Sequence, residues 1–171
     1  MKQRVQSILF FVSALVMGLL FFMPMASYLE GENYYKLFVY GIHVLSPANG
    51  ASPFASLYTL PLLILTVAVI LLSFYLSMAI FRAVKLKQFV QLFKLSRINL
   101  ALVVVLIATI FVYYLMKTGA PIKASPSFSM SDQGLPAWGA FLPLVALVLI
   151  LLASSGLRKD INKVKSVDRI R

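Results

Sequence analysis

From Phe54 to Phe81 the chain reads FASLYTLPLLILTVAVILLSFYLSMAIF, and Arg82 is the first charge after it. A run of about 20 apolar residues carries an α-helix across roughly 30 Å of hydrocarbon, and this run exceeds that length. Three more charge-free segments flank it: Val5 to Met25, Ile98 to Met116 and Leu135 to Leu157. A charge at the bilayer centre costs about 2.5 to 3.5 kcal/mol on insertion scales, so charge-free runs are what lipid-facing helices require. The pattern predicts an all-α membrane protein. Residues 1–171 would form a single four-transmembrane-helix bundle, with spans at about 5–25, 54–81, 98–116 and 135–157 and a basic tail helix over 158–171.

The positive charges orient these spans. Of the 16 Lys and Arg, only Lys36, Lys117 and Lys123 fall in the first and third connections. The others crowd the amino terminus, the second connection (Arg82, Lys85, Lys87, Lys94, Arg97) and the tail (Arg158, Lys159, Lys163, Lys165, Arg169, Arg171). Lys and Arg near span ends stay on the cytoplasmic side, which predicts a multi-pass protein with both termini cytoplasmic. Lys2 and Arg4 ahead of an apolar stretch also resemble a signal peptide. The stretch is longer than a typical signal core, however, and Pro24-Met25-Ala26-Ser27 lacks a small-x-small cleavage site, so a retained span is expected.

Composition narrows the function classes. With 61% hydrophobic and 12% charged residues the chain cannot hide its apolar surface as a soluble domain. The net charge of +11 is spread over span ends instead of forming one Lys/Arg-rich segment, so no nucleic-acid partner is expected. The absence of cysteine removes disulfides, thiolate metal sites and thiol nucleophiles. His43 is the sole histidine; with Glu30 and Glu32 it could form an outward-facing metal or proton site, but a lone histidine in a strand-like run more often packs at an interface. The spans hold no Lys, Arg, Asp, Glu or His, and neither G-x-S-x-G, S-x-x-K nor a phosphate-cradling glycine pattern occurs. No catalytic, cofactor-binding or metal-binding residue is therefore assigned.

The outer connections carry finer signals. Asn33 to Leu45, NYYKLFVYGIHVL, is rich in strand-forming residues and bounded by Gly31 and by Ser46-Pro47-Ala48-Asn49-Gly50. Ile122 to Met130, broken by Pro126, is a second, edge-strand candidate. Together they predict a small extracytoplasmic antiparallel β element over the bundle, while an interfacial aromatic belt explains the same tyrosines and Trp138. Ser52-Pro53 reads as a helix start, as does Pro136, which would put Pro61 and Pro143 about two turns inside their helices as kinks. Ala14 with Gly18 and Ser73 with Ser77 have the spacing of close helix contacts, and Asn99 is placed to hydrogen-bond a neighbouring helix. Arg4-Val5-Gln6 and Arg97-Ile98-Asn99 hint at duplicated hairpins, but so few shared residues do not establish a repeat.

In the tail, Leu157, Ile161, Val164, Val167 and Ile170 follow helical steps within a charged stretch. The tail reads first as a positive-inside anchor that also touches anionic lipid, although lipid attraction alone needs no acids there. Arg4, Arg97, Arg158, Lys159, Asp160, Lys165, Asp168, Arg169 and Arg171 accordingly form a candidate cytoplasmic interaction surface, with Asp160 and Asp168 free to pair with Arg4, Arg97 or a partner.

The opening Met1-Lys2-Gln3-Arg4-Val5-Gln6-Ser7, Arg97-Ile98-Asn99 with Tyr113-Tyr114, and Arg158-Lys159-Asp160 followed by Val164-Lys165-Ser166-Val167-Asp168-Arg169-Ile170-Arg171 resemble the bacterial membrane family DUF4293. The resemblance covers the whole chain. It implies a four-span protein of the bacterial inner membrane without an assigned activity, and it supplies no catalytic residues. Lys2 and Ile161 depart from the family pattern, which weakens any fixed role for a second acid in the tail. The functional expectation is a non-enzymatic accessory or scaffold protein whose partners are the anionic inner leaflet and an unidentified membrane protein or a second copy. The alternative is a lipid or hydrophobic-solute carrier with a groove opened by kinks at Pro61 and Pro143.

Overall fold

A computed structural model describes residues 3–30, 33–45, 53–54, 59–83, 86–116 and 138–168. Among them are four α-helices, α1 (Gln3–Gly18), α2 (Leu60–Arg82), α3 (Leu86–Met116) and α4 (Leu142–Asp168), and four strands, β1 (Ala26–Glu30), β2 (Asn33–Phe38), β3 (Gly41–Leu45) and β4 (Pro53–Phe54). Leu60–Arg82, Lys87–Phe111 and Trp138–Asn162 are long and apolar enough to cross a membrane. The first helix continues as a 3-10 turn, Leu19–Phe21, and makes a shorter apolar rod, Val5–Phe21.

Each helix packs on two others in a closed square, α1 against α2 and α4, and α3 against α2 and α4. Residues near the start of α1 meet residues near the ends of α2 and α4, so the helices run up and down in turn and both termini of the bundle lie at one end. That end carries Arg82, Lys87, Lys94, Arg97, Arg158 and Lys159 and is called here the basic end. The inward stripes advance by threes and fours, as in Leu62, Thr66, Val69, Ser73, Leu76, Ser77 and Ile80 of α2. Large apolar residues also point outward along every helix, among them Ile8, Leu15, Ile64, Leu71, Val104, Phe111, Val148 and Leu152.

The opposite end is closed by one antiparallel sheet in the order β1-β2-β3-β4. The row Ala26, Leu37, Ile42 and Phe54 aligns across it, and buried Ala26 and Leu37 join the core together with Met25 and Val39. The backbone amide of Met25 donates to Leu37 O at 2.7 Å, which ties the exit of the first helix to the sheet. At the same end Gly139, in the 3-10 turn Trp138–Phe141 that opens α4, donates from its amide to Pro24 O at 3.1 Å.

Several expectations are corrected. Asn33 to Leu45 is two strands, not one: the chain reverses at Val39-Tyr40, where Phe38 pairs with Gly41. Pro53 opens no helix; it lies in β4 opposite His43. With α2 beginning at Leu60, Pro61 falls in its first turn, and Pro143 is the second residue of α4. A first-turn proline lacks only an amide that has no intrahelical acceptor anyway, so Pro61 kinks no helix interior, whereas Pro143 follows the 3-10 turn Trp138–Phe141 without a break and lies inside the continuous helical segment Trp138–Asn162. The second connection is mostly helical, because α3 starts at Leu86 instead of Ile98. Gly18 is no close-contact site: a Cβ there would meet nothing within 4 Å. Ser52, Pro136 and the strand proposed at Ile122 to Met130 lie outside the described residues.

A Cβ at Gly139 would lie 2.7 Å from Pro24 O and 2.9 Å from Met23 O, both backbone atoms that cannot swing aside. Gly139→Ala should therefore cost about 1 to 3 kcal/mol by overpacking, read as a lowered unfolding temperature in detergent, while Gly18→Ala should cost nothing.

Candidate functional site: a buried polar band at the basic end

Polar side chains on the inward stripes meet at the four helix interfaces of the basic end. Between α1 and α2, Ser7 Oγ donates to Ser77 O at 2.7 Å and Ser77 Oγ donates to Ser7 O at 2.9 Å. Between α2 and α3, Asn99 Nδ2 donates to Ser73 Oγ at 2.7 Å. Between α3 and α4, the hydroxyls of Ser96 and Ser154 share a hydrogen bond. Between α4 and α1, Gln6 Nε2 donates to Asp160 Oδ2 at 2.8 Å. Every helix is thus hydrogen-bonded to both of its neighbours.

The local sequence explains how these groups reach one another. Serine is small enough to let two helix backbones approach, and its hydroxyl can then bond across the gap. Gly156 makes room for the longer Gln6: a Cβ on Gly156 would sit 2.9 Å from Gln6 Nε2 and 3.0 Å from its Cγ. Gln6, Ser7, Ser73, Ser77, Ser96, Asn99 and Ser154 are all buried, so each bond replaces water the site excludes. Two acceptors, Gln6 Oε1 and Asn99 Oδ1, are buried without a hydrogen-bond partner among the described residues.

Chemically the band links helices. The serine hydroxyls bond to each other, to backbone or, at Ser73, to the Asn99 amide, and no base stands beside them in these contacts. No group of three metal-ligating residues occurs among the described residues. At the sheet end, the His43 ring packs edge-on against Phe38 and Tyr40, with centroids 5.0 and 5.4 Å away, and its Nε2 is buried without a hydrogen-bond partner among the described residues.

The expected interaction surface is only partly assembled. Asp160 is half-buried and turned to Gln6, not to Arg97. Arg97 instead lies over the Phe93 ring of its own helix, 4.7 Å from the centroid. Arg158 and Lys159 are exposed on α4. The side chains of Arg4, Lys165 and Asp168, and the whole of Arg169 and Arg171, lie outside the described residues. Asn99 does bond to a neighbouring helix as its position suggested.

A family model described as "Domain of unknown function (DUF4293)" matches residues 2–170, nearly the entire chain. The chain belongs to the DUF4293 family. No match to a curated protein is found. The polar band of this DUF4293 protein therefore stands on its own geometry, and its nearest expectations in sequence were Asn99 and the Ser73/Ser77 pair. Gln6, Ser7, Ser96, Ser154 and Gly156 escaped notice, although all five share the three- and four-residue spacing of the buried stripes.

Gly156→Ala should break the Gln6–Asp160 bond and cost about 1 kcal/mol, within the range of measured interhelical hydrogen bonds. In a Gln6→Ala background the same substitution should cost nearly nothing, so a double-mutant cycle on unfolding free energy reads the coupling directly.

Proposed function

We propose that this DUF4293 protein is a non-enzymatic accessory or scaffold subunit of the bacterial inner membrane, spanning it four times with both termini in the cytoplasm. The observation that carries the reading is the closed band: hydrogen bonds across all four interfaces hold the bundle in one arrangement, as a platform requires and a rocking carrier does not. The clustering of Lys and Arg at the end holding both termini supports the orientation. On this reading the first rod, Val5–Phe21, is the shortest span, and the β-sheet lies on the extracytoplasmic face. The exposed Arg158 and Lys159 present the bundle's basic end to a membrane-protein partner, a second copy or the anionic leaflet.

The carrier alternative loses one of the two kinks that motivated it, since Pro61 sits in the first turn of α2. Its proposed opening between the second and fourth helices also falls across the diagonal of the square, where the two do not pack side by side.

Two outcomes test the proposal. Because the chain has no cysteine, single cysteines introduced at Ser166 and at Ser46 report sidedness by labelling with an impermeant maleimide. Ser46→Cys should label in intact spheroplasts and Ser166→Cys only after lysis; the reverse pattern contradicts the orientation. Extraction in mild detergent should recover a stoichiometric protein partner or a dimer that Arg158→Glu with Lys159→Glu disrupts. A monomer carrying no protein under those conditions would count against a scaffold.

A further inference from the structure

Two shallow grooves flank the last turns of α2, one on each side, and both end at the same residue, Arg82. The first, about 400 Å³, lies between α1 and α2, with Ser7 and Ser77 at its base and Phe11, Phe74, Met78 and Phe81 along it. The second, about 430 Å³, lies between α2 and α3 over a floor of Ala79, Ala83, Leu92 and Leu95. Tyr75, Gln88 and Gln91 form its polar rim. Each volume falls in the range of roughly 300 to 1,000 Å³ typical of small-molecule clefts.

From the geometry we infer that this pair of grooves is a binding site for one diacyl phospholipid with an anionic headgroup, its phosphate at Arg82 and one acyl chain in each groove.

Three observations fit that ligand and no smaller one. Both grooves run beside α2 from about Phe74 to Arg82, roughly 12 Å at 1.5 Å per residue, so each holds the upper part of an acyl chain next to a headgroup. Their floors accept hydrocarbon without penalty. In the α1–α2 groove the only polar groups at the base, the Ser7 and Ser77 hydroxyls, already donate to each other's carbonyls, and in the other groove the floor is Ala and Leu. Polarity is concentrated where a headgroup would lie, with Arg82 exposed and Gln88 and Gln91 bordering the same groove, while Tyr75 lies at the groove's far end.

Charge complementarity selects an anionic lipid. Arg presents a planar fork of donors that suits phosphate oxygens. Exposed Lys87 is the second residue of the facing helix, and the described residues that line the two grooves include no Asp or Glu. A free phosphate would use Arg82 but neither apolar groove. A single-chain amphiphile would fill one groove only.

The inference rests on the membrane setting proposed above, which is tested separately by flotation of the reconstituted protein with liposomes. The full chain, reconstituted in nanodiscs of dioleoyl phosphatidylcholine doped with dioleoyl phosphatidylglycerol, is released into mild detergent and read by native mass spectrometry. One phosphatidylglycerol should be retained in preference to phosphatidylcholine of the same chain length. Arg82→Gln should lower that retention about fivefold, the effect of one basic contact at an anionic surface. Arg82→Lys should keep part of it, and Lys94→Gln, at an exposed cation that lines neither groove, should leave it unchanged. Ala79→Phe, which fills the α2–α3 groove while keeping Arg82, should also lower it. Equal retention of the two lipids, or an Arg82→Gln variant that retains phosphatidylglycerol like the parent, overturns the site. Competition by millimolar inorganic phosphate or glycerol phosphate would assign Arg82 to a soluble anion instead. Failure to float would speak against the membrane setting and not against the grooves.

Discussion

The reciprocal bonds between Ser7 and Ser77, and the three polar links that continue them around the bundle, do for these helices what apolar burial cannot. In an ordinary soluble bundle the apolar stripe of each helix tells it which face to turn inward. Here the outward faces carry Ile, Leu, Val and Phe as freely as the inward ones, so rotating a helix about its axis exchanges one apolar surface for another. What such a rotation does lose is a hydrogen bond at each neighbour, together with the close backbone approach that Ser and Gly allow. Measured interhelical bonds of this kind are individually modest, averaging about 0.6 kcal/mol. Four interfaces closed in a ring still select one register, because no helix can turn without breaking contacts on both sides.

The two ends of the bundle divide the work. Near the basic end a hydrogen-bonded polar band, Gln6, Ser77, Ser96, Asn99 and Ser154, is buried among the helices beside apolar Leu76, Ile80, Phe89, Leu92 and Leu157. Toward the sheet the interior becomes Met17, Leu20, Leu62, Val103, Leu106 and Ile150, and the helices are held instead by backbone ties through Pro24, Met25 and Gly139. The four-stranded sheet closes that end by burying Ala26, Leu37 and Val39 against the same core.

Much of this was legible in the sequence, for identifiable reasons. Charge-free runs gave the helices, because length and charge are sufficient cues for apolar spans. Asn99 announced its role because an amide in an apolar stripe needs a partner. The boundaries were harder. Pro53 and Pro61 both suit a helix start, and only the pairing of Pro53 with His43 in the sheet decides that the helix begins at the later one. The reversal at Val39-Tyr40 lacks the Asn-Gly or Asp-Gly chemistry that usually marks a two-residue hairpin, so a continuous strand was the natural reading. Serines such as Ser7, Ser96 and Ser154 gave little signal singly, since isolated serines are common in apolar helices. Their meaning came from the partner across the interface, which one sequence does not reveal. Arg82 looked like an ordinary span-end cation until the grooves on either side of α2 converged on it.

Cysteine cross-linking tests the closed square most directly, on a chain that has no cysteine of its own. Disulfide yields in native membranes would be compared for adjacent pairs, Ser7→Cys with Ser77→Cys and Ser96→Cys with Ser154→Cys, and for the diagonal pair Ser7→Cys with Ser96→Cys. A closed ring requires fast, near-complete bridging of both adjacent pairs and almost none across the diagonal. Comparable yields for the diagonal pair would mean that the helices exchange neighbours and that the polar band does not hold them.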